Sequence, residues 1–383
     1  MQCVLVGPSA PLRGGIAIDN DARAQALRLA GHKVEQINFS RLYPQFFFPG
    51  RSQHDAAPDH TQTSALACLD SLNPLSWWRT ARHIAAWAPD VVTFQWWHPL
   101  FAPCYISVLS ALRKALPRTA RVLISHHARP HEPLPGQDLA LRWVAQRCTD
   151  VIVHSRTDSD LIKTLVPDTR VHFLDYPLLE TPQSQPDREE AQRRLEVSGR
   201  VLLFFGYVRT YKGLDILLHA LAKVPRELGV SLLVAGEFYT SVDATRSLIQ
   251  SLHLNDRVRI IDRYISEPEW PALFAATDAL VLPYRAASQS MTIPLAYGFG
   301  KPVIATRVGG FPDIIEDGQT GVLADPDSDD VARAIQRFYT DFLSGPYDTA
   351  IATKRQSFGW EPFIQLLEQC SASHGQTVQA ATK

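Results

Sequence analysis

Short apolar segments alternate with amphipathic segments along most of the chain. Continuous apolar runs, typical of strands buried on both faces of a parallel sheet, cover residues 90–95, 121–125, 200–205 and 279–283. Segments with apolar residues at helical spacing follow such runs, as residues 214–223 follow the third of them. This alternation predicts an α/β protein built on parallel sheets.

The most complete strand–loop–helix–strand unit begins at residue 279. An apolar strand at 279–283, a helix at 292–299 and a second apolar strand at 302–306 follow one another. Backbone N–H groups at the start of a helix attract anions because the helix dipole is positive there, so the loop before this helix is predicted to bind phosphate. That loop consists of Gln289, Ser290, Met291 and Thr292.

The length of the chain indicates two domains. A chain of 383 residues is longer than one ordinary hydrophobic core accommodates. Residues 176–186 contain three prolines, which is typical of a linker. We therefore place a first Rossmann-like domain at residues 1–178 and a second at 187–345.

Composition narrows the possible functions. Lys plus Arg number 38 against 39 Asp plus Glu, so no overall positive charge favours nucleic acid. The five cysteines are scattered without metal-site spacing, which favours a reducing compartment. The first residues form a short apolar run without a basic region, which predicts a β-strand rather than a signal peptide. No apolar run is long enough to span a membrane, so we expect a cytoplasmic protein.

A pair of glycines, Gly14 and Gly15, lies between a predicted strand at 3–6 and a predicted helix at 16–30. Adjacent glycines allow a ligand to approach the backbone closely, but a tight turn would require them equally. Their spacing differs from Gly-x-Gly-x-x-Gly, so the pattern indicates a dinucleotide site only weakly.

Aromatic residues are concentrated in the first half of the chain, where five of the eight tryptophans lie between residues 77 and 97. We interpret them first as core packing. An acceptor groove or a membrane-interface surface remains an alternative, because aromatic rings suit sugars and lipid headgroups. The aromatic residues concerned are Phe46, Phe47, Phe48, Trp77, Trp78, Trp87, Trp96, Trp97 and Phe101.

Polar residues follow the strand at 121–125, and ligands of open α/β sheets bind at the carboxyl ends of strands. His126, His127, His131 and Glu132 lie within seven residues there. We interpret them as ligand-contacting residues. A metal site is the less favoured alternative, because these side chains crowd one loop without helical spacing.

Two further loops carry charge. Arg209 and Lys212 lie between the strand at 200–205 and the helix at 214–223, the arrangement expected for a diphosphate site, with an ordinary solvated loop as the alternative. Residues 325–330 show Asp-x-Asp spacings. Because they precede a predicted helix at 331–342, we interpret them as a helix cap rather than a metal site.

These motifs resemble the donor site of the retaining glycosyltransferase family 4. The resemblance covers nearly the whole chain and is strongest at residues 200–340. It extends to the His-rich run, in which His127 takes the position of an asparagine. The matching residues are Gly206, Lys212, Gly213, Gly236, Glu237, Phe238, the run from Gly300 to Thr306, Gly309 and Gly310.

The chain departs from this family at three positions. The two glutamates that usually precede Gly-x-Pro are replaced by Ala287 and Leu295, and Tyr207 takes the place of a motif arginine, for which Arg209 is the expected substitute. The turn Gln289-Ser290 resembles one branch of the family, so we expect a modified site rather than a lost one.

The resemblance implies the GT-B architecture, with two Rossmann-like domains whose parallel sheets face across an interdomain cleft. The terminal segment 358–383, in which the sequence predicts an amphipathic helix at 362–370 and a loose tail after Ser371, would pack back on the first domain. It also implies a metal-independent enzyme without a cofactor, which transfers a sugar with retention from a nucleotide diphosphate sugar to a glycan or polyprenyl-linked acceptor. Synthesis of bacterial surface polysaccharide, with peripheral contact to the inner face of the membrane, follows by analogy.

The resemblance also assigns roles to residues. Arg209 and Lys212 would neutralise the diphosphate, and His126 would hold the donor sugar. A non-catalytic member that binds nucleotide or glycan, and a scaffold that uses the tryptophan-rich surface, remain alternatives. The implied donor-binding residues are Gly14, Gly15, Gly206, Gly236, Glu237, Gln289, Ser290, Met291, Thr292 and Leu295.

Overall fold

The computed structural model describes residues 1–44, 48, 50–54, 65–130, 134–179, 181, 185–342 and 347–381. Phe46, Phe47, His131 and Glu132, which the sequence singled out, lie outside these residues. The chain divides into two compact units. The first comprises Met1–Asp175 with Trp360–Lys383, and the second comprises Tyr176–Gly359.

The first unit contains a seven-stranded parallel sheet in the order β3-β2-β1-β4-β5-β6-β7. Its strands are β1 Gln2–Val6, β2 Lys33–Arg41, β3 Leu66–Asp70, β4 Val91–Trp96, β5 Ala120–Ser125, β6 Asp150–Val153 and β7 Arg170–Phe173. Its helices are α1 Gly15–Leu29, α2 Pro74–Trp87, α3 Ala102–Ala115, α4 Gln137–Ala145, α5 Arg156–Leu165 and, from the end of the chain, α14 Glu361–Ala381.

Two apolar cores cover the faces of this sheet, because successive side chains of a strand point to opposite faces. Val4 and Val6 of β1 belong to a core shared with α2, α3 and α4. Cys3 and Leu5 belong to the opposite core, which α1 and α14 cover. The second core includes Phe363, Ile364, Leu367 and Cys370 of α14.

The end of α14 corrects a prediction. The sequence indicated a helix at 362–370 followed by a loose tail, whereas the helix continues to Ala381. The apolar positions from Phe363 to Cys370 anchor its first part to the sheet. A helix that is already nucleated extends at low cost, since each further residue adds a hydrogen bond.

The second unit contains a six-stranded parallel sheet in the order β10-β9-β8-β11-β12-β13. Its strands are β8 Arg200–Phe205, β9 Val230–Ala235, β10 Val258–Ile261, β11 Ala279–Leu282, β12 Val303–Thr306 and β13 Gly321–Ala324. Its helices are α6 Arg188–Leu195, α7 Leu214–Lys223, α8 Val242–Ser251, α9 Trp270–Ala276, α10 Thr292–Gly298, α11 Phe311–Ile314, α12 Ser328–Arg337 and α13 Tyr347–Ser357.

The two parallel sheets confirm the predicted α/β fold class. The apolar runs of the sequence did not predict β3. β3 lies at the edge of the sheet, and Leu66 and Ala67 at its start are exposed. An edge strand of this kind lacks the continuous apolar run that identified the central strands. Within the described part of the chain, no helix combines the length and apolar character needed to cross a bilayer.

Candidate functional site

The point where strand order reverses defines the candidate ligand site of each sheet. In the second sheet the chain proceeds outward through β8, β9 and β10, and then resumes on the other side with β11. Ligands of open α/β sheets bind beyond the carboxyl ends of the strands at such a point. The loops after β8 and β11 therefore frame the candidate site of the second unit. They contain Arg209, Lys212, Gln289, Ser290 and Met291.

Close backbone contacts hold the loop after β8 in place. Gly213 has φ of 68°, a left-handed conformation, and a Cβ there would collide with the carbonyl group of Pro283 at the end of β11. A Cβ at Gly236, after β9, would likewise collide with the carbonyl group of Gly206. These two glycines let the loops after β8, β9 and β11 approach one another.

Lys212 is buried at this point, with 9% of its surface exposed, and its Nζ lies 5.5 Å from the ring centre of Tyr284. Burial, reinforced by the neighbouring charge of Arg209, lowers the pKa of the Lys212 ammonium. Among the described residues, neither Lys212 nor Arg209 forms a salt bridge with a carboxylate. The loop thus presents two cations that have no carboxylate partner in the described part of the chain.

Arg209 belongs to an aromatic cluster that the sequence did not indicate. Its Cζ lies 4.8 Å from the ring centre of Tyr239, which is itself 4.8 Å from the ring of Tyr207. Tyr264 lies 6.2 Å from Tyr207. These tyrosines follow β8, β9 and β10 in turn, so only the sheet brings them together. Tyr207, in the position of the expected arginine, supports the Arg209 guanidinium through Tyr239.

Glu237, another predicted donor-binding residue, follows Gly236 and is 1% exposed. Its carbonyl oxygen accepts the Val208 N–H at 2.9 Å, and the Tyr239 N–H donates to the Val208 carbonyl at 3.0 Å. The segment after β9 therefore pairs with the loop that carries Arg209.

The loop after β11 is fixed by its own side chains. Gln289 is buried, and its Nε2 donates to the Gly310 carbonyl at 3.0 Å while its Oε1 accepts the Ser290 N–H at 3.2 Å. The hydroxyl groups of Ser290 and Thr292 lie 2.7 Å apart. Of the amides expected to face a phosphate, that of Ser290 is thus engaged within the loop.

Leu295 occupies the second turn of α10 and is 3% exposed. Its side chain belongs to the apolar interior and offers no hydrogen-bonding group. α10 itself has seven residues, so its contribution to anion binding is smaller than that of a full-length helix.

The first sheet reverses its order between β1 and β4. Gly14 has φ of 116° and precedes α1, and Gly15 is the first residue of that helix. The Asn20 side chain of α1 donates to the Pro8 carbonyl at 3.1 Å, which ties the loop after β1 to the helix.

His126 lies at the carboxyl end of β5 and is 1% exposed. Its Nε2 is 2.6 Å from Oε1 of Gln95 and 3.9 Å from Oδ2 of Asp19. Arg23 extends this polar network, since its Nε donates to Asp19 at 2.5 Å and its guanidinium contacts Nε2 of His154 at 3.3 Å. The sequence did not identify Asp19 or Arg23, although their i,i+4 spacing is typical of a helical ion pair.

The histidines of this network are neutral. Burial lowers the pKa of His126 well below its usual value, and the charge of Arg23 acts in the same direction. The same two causes lower the pKa of His154. His126 thus acts as a hydrogen-bonding group, whereas its neighbour His127 is the more exposed of the two.

Two interpretations of the sequence outside these loops were tested by the structure. Asp327 caps α12, since its carboxylate accepts the N–H groups of Asp329 and Asp330, both at 2.9 Å. The cap predicted in the Asp-rich loop is therefore confirmed.

The tryptophans differ in exposure: Trp96 is fully buried, whereas Trp78 is 56% exposed.

Most of the second unit matches a known family of proteins. Residues 199–341 match the family model described as glycosyl transferases group 1. The D-inositol 3-phosphate glycosyltransferase of Corynebacterium diphtheriae is 29% identical over 197 residues, which are 49% of this chain and 44% of that protein. The matched region thus spans less than half of that relative's length.

Solved structures resemble the whole chain. Sucrose-phosphate synthase from Thermosynechococcus elongatus has a TM-score of 0.74 at 18% identity, and the match covers 100% of both chains. HepE from Anabaena in complex with UDP-glucose has a TM-score of 0.69 at 18% identity, over 99% of both chains. At this identity the likeness establishes the fold, which is that of GT-B glycosyltransferases with two Rossmann-like domains.

Proposed function

We propose that the protein is a glycosyltransferase that transfers a sugar from a nucleotide diphosphate sugar. The observation that carries this proposal is the buried ammonium of Lys212, which lies beside Arg209 at the switch point of a group 1 domain and pairs with no described carboxylate. A buried cation is costly unless an anion compensates it. The diphosphate of the donor is the anion whose position fits this loop.

The chemistry follows from charge stabilisation. Cleavage of the bond between sugar and diphosphate develops negative charge on the departing diphosphate, which Arg209 and Lys212 would neutralise. The amides of Met291 and Thr292 would add hydrogen bonds, while Gln289 and Ser290 hold the loop in shape. Gly206 and Gly236 would let the donor approach the backbone.

In the first unit we propose that Gly14, Gly15 and His126 recognise the donor sugar. A neutral imidazole suits a sugar hydroxyl, because one ring nitrogen donates and the other accepts a hydrogen bond. The contact of Nε2 with Gln95 would orient the ring. We further propose membership of family 4 and transfer with retention, on the motifs described above, and a metal-independent, cytoplasmic reaction without a cofactor.

For the acceptor we propose a glycan or a polyprenyl-linked glycan of bacterial surface polysaccharide synthesis. A peripheral contact with the membrane is supported by α2, which contains no acidic residue and exposes Leu75, Trp78, Arg79 and Arg82. The Arg82 guanidinium lies 4.7 Å from the ring centre of Trp78. Exposed apolar and basic residues on one helix are typical of a surface that binds anionic lipid.

A non-catalytic binding protein remains the alternative, because both family glutamates are absent. Turnover of a nucleotide sugar by the purified protein distinguishes the two. Thermal-shift measurements with UDP, GDP, ADP and their sugars first identify the donor, since a ligand at 100 times its Kd stabilises a protein by about 2.7 kcal/mol.

Replacing Arg209 or Lys212 tests the diphosphate site. We expect Arg209→Ala and Lys212→Met each to lower kcat by about 10²–10³, the usual effect of removing a charge-stabilising donor. Arg226→Ala is the matched control, because Arg226 is an exposed cation of the same unit that pairs with Asp256. Near-normal turnover by a folded Lys212→Met protein would contradict the assignment.

Chelation tests the role of divalent metal. Because Asp327 is occupied as a helix cap, we expect turnover to be unchanged in excess EDTA. Loss of turnover that Mg²⁺ or Mn²⁺ restores would show that the Asp-rich loop, or another acidic group, holds a catalytic metal.

Ribose recognition tests the replacement at position 295. Leu295 cannot accept the ribose hydroxyl bonds that a glutamate accepts there in the resembled family, and such bonds are typically worth about 1.5–3 kcal/mol. We therefore expect the Kd values for the preferred nucleotide and its 2′-deoxy form to differ by less than about tenfold. Discrimination well above tenfold would mean that another residue binds the ribose. Leu295→Glu should increase discrimination or, since the site is buried, destabilise the fold.

Vesicle co-sedimentation tests the membrane contact. The double variant Leu75→Ser/Trp78→Ser should bind vesicles of phosphatidylglycerol and phosphatidylcholine several-fold more weakly than the unmodified protein, because apolar surface is lost. Leu29→Ser is the control, since Leu29 is 75% exposed on α1, at the opposite face of the same sheet. Equal binding by the double variant and the control would exclude α2 as the contact.

A further inference from the structure

Three residues with different metal-binding side chains meet beside β6 and β7 at one edge of the sheet, close to the amino end of β6. They are Asp150, the first residue of β6, His172 of β7, and Cys370 of α14. One ligand atom from each lies within 4.8 Å of the other two. The candidate donor residues of this unit lie at the carboxyl ends of the strands, so this cluster is separate from them.

The register of the sheet explains why the three side chains converge. Asp150 pairs with Arg170 and Ile152 pairs with His172, so alternate positions of both strands point to one face. Ile152 belongs to the core that α14 covers, and Cys370 belongs to the same core. The cluster thus lies under α14.

The contacts within the cluster are close. His172 Nε2 lies 2.8 Å from Oδ1 of Asp150, and the Cys370 sulfur lies within 4.8 Å of a ligand atom of each. Asp150 and Cys370 are buried, whereas the His172 side chain is 30% exposed. The Arg170 guanidinium donates to Oδ2 of Asp150 at 3.0 Å and is itself half-exposed.

The donor set is that of a zinc site. Zn²⁺ binds thiolate, imidazole and carboxylate at about 2.3, 2.0–2.1 and 2.0–2.2 Å in tetrahedral geometry, which places imidazole nitrogen and carboxylate oxygen about 3.3 Å apart. The observed separation of 2.8 Å therefore requires a shift of about half an ångström. Arg170 would remain on the other carboxylate oxygen, as the hydrogen-bonded partner that metal-ligating carboxylates usually have.

We propose that Asp150, His172 and Cys370 bind one Zn²⁺, with water as the fourth ligand on the exposed side of His172. Binding releases the thiol proton of Cys370 to solvent, because the thiolate is the ligand. The metal joins α14 to β6 and β7 and so stabilises the attachment of the terminal helix. This proposal does not depend on the proposed catalytic function.

Cobalt substitution tests the site with a readout independent of activity. We add Co²⁺ to the full-length, metal-free protein and record the near-ultraviolet thiolate-to-cobalt charge-transfer band and the visible bands of tetrahedral Co²⁺. We expect one equivalent of Co²⁺ to saturate both signals, Zn²⁺ to displace it, and Zn²⁺ to raise Tm. Absence of the charge-transfer band in the unmodified protein would overturn the proposal.

Variants that preserve the hydrogen bonds locate the ligands. Cys370→Ser retains a hydroxyl donor for Asp150 and should lose the charge-transfer band. His172→Gln retains an N–H donor and should weaken metal binding at least tenfold, since loss of even an outer-shell partner of a ligand typically costs about 10–100-fold. Cys68→Ser is the matched thiol control, since Cys68 is partly buried and bonds to Thr80 in the same unit. A band that persists in Cys370→Ser, or disappears in Cys68→Ser, would assign the metal to another thiol.

Discussion

Burial of the Lys212 ammonium is the constraint on which the candidate site of the second unit depends. The ammonium lies at the switch point of the sheet because Gly213 lets the loop after β8 press against the end of β11. In this position the side chain is desolvated and close to a second cation, Arg209, and both effects disfavour the charged form. A bound anion would reverse this cost, so the electrostatics of the loop favour an anionic ligand.

The first unit buries an ion pair rather than a single ammonium group. Its carboxyl-terminal edge contains the buried ion pair of Asp19 and Arg23, around which neutral histidines are arranged. The Arg23 guanidinium lies 4.5 Å from the ring centre of Phe363 on α14. The terminal helix therefore reaches the same network that orients His126. A change in the attachment of α14 would reach that histidine through Arg23, by contacts within one unit.

At two positions where the sequence differs from the resembled family, the structure shows what the replacing residues contact. Tyr207 takes the place of the arginine that follows Gly206 in that family. Arg209, two residues further along the same loop, lies over the ring of Tyr239. The position of the lost glutamate is filled by Leu295, which is packed into the interior. Arg209 thus keeps a positive charge in the loop in which Tyr207 replaces the arginine. Leu295, in contrast, replaces a polar contact with apolar packing.

The sequence by itself determined the fold class, the central strands and the helix caps. These features depend on local patterns: apolar runs, helical spacing, and capping residues such as Asp327, whose carboxylate accepts the Asp329 and Asp330 N–H groups. It also singled out Lys212 as a candidate site residue, because a motif of adjacent residues carries that signal. Only the tertiary structure decided which distant residues meet. The edge strand β3, the tyrosines around Arg209 and the network at His126 all depend on strand order and register. The cluster of Asp150, His172 and Cys370 requires, in addition, that a helix from the end of the chain cover β6 and β7. Such contacts join residues far apart in sequence, so no local pattern of polar and apolar positions encodes them.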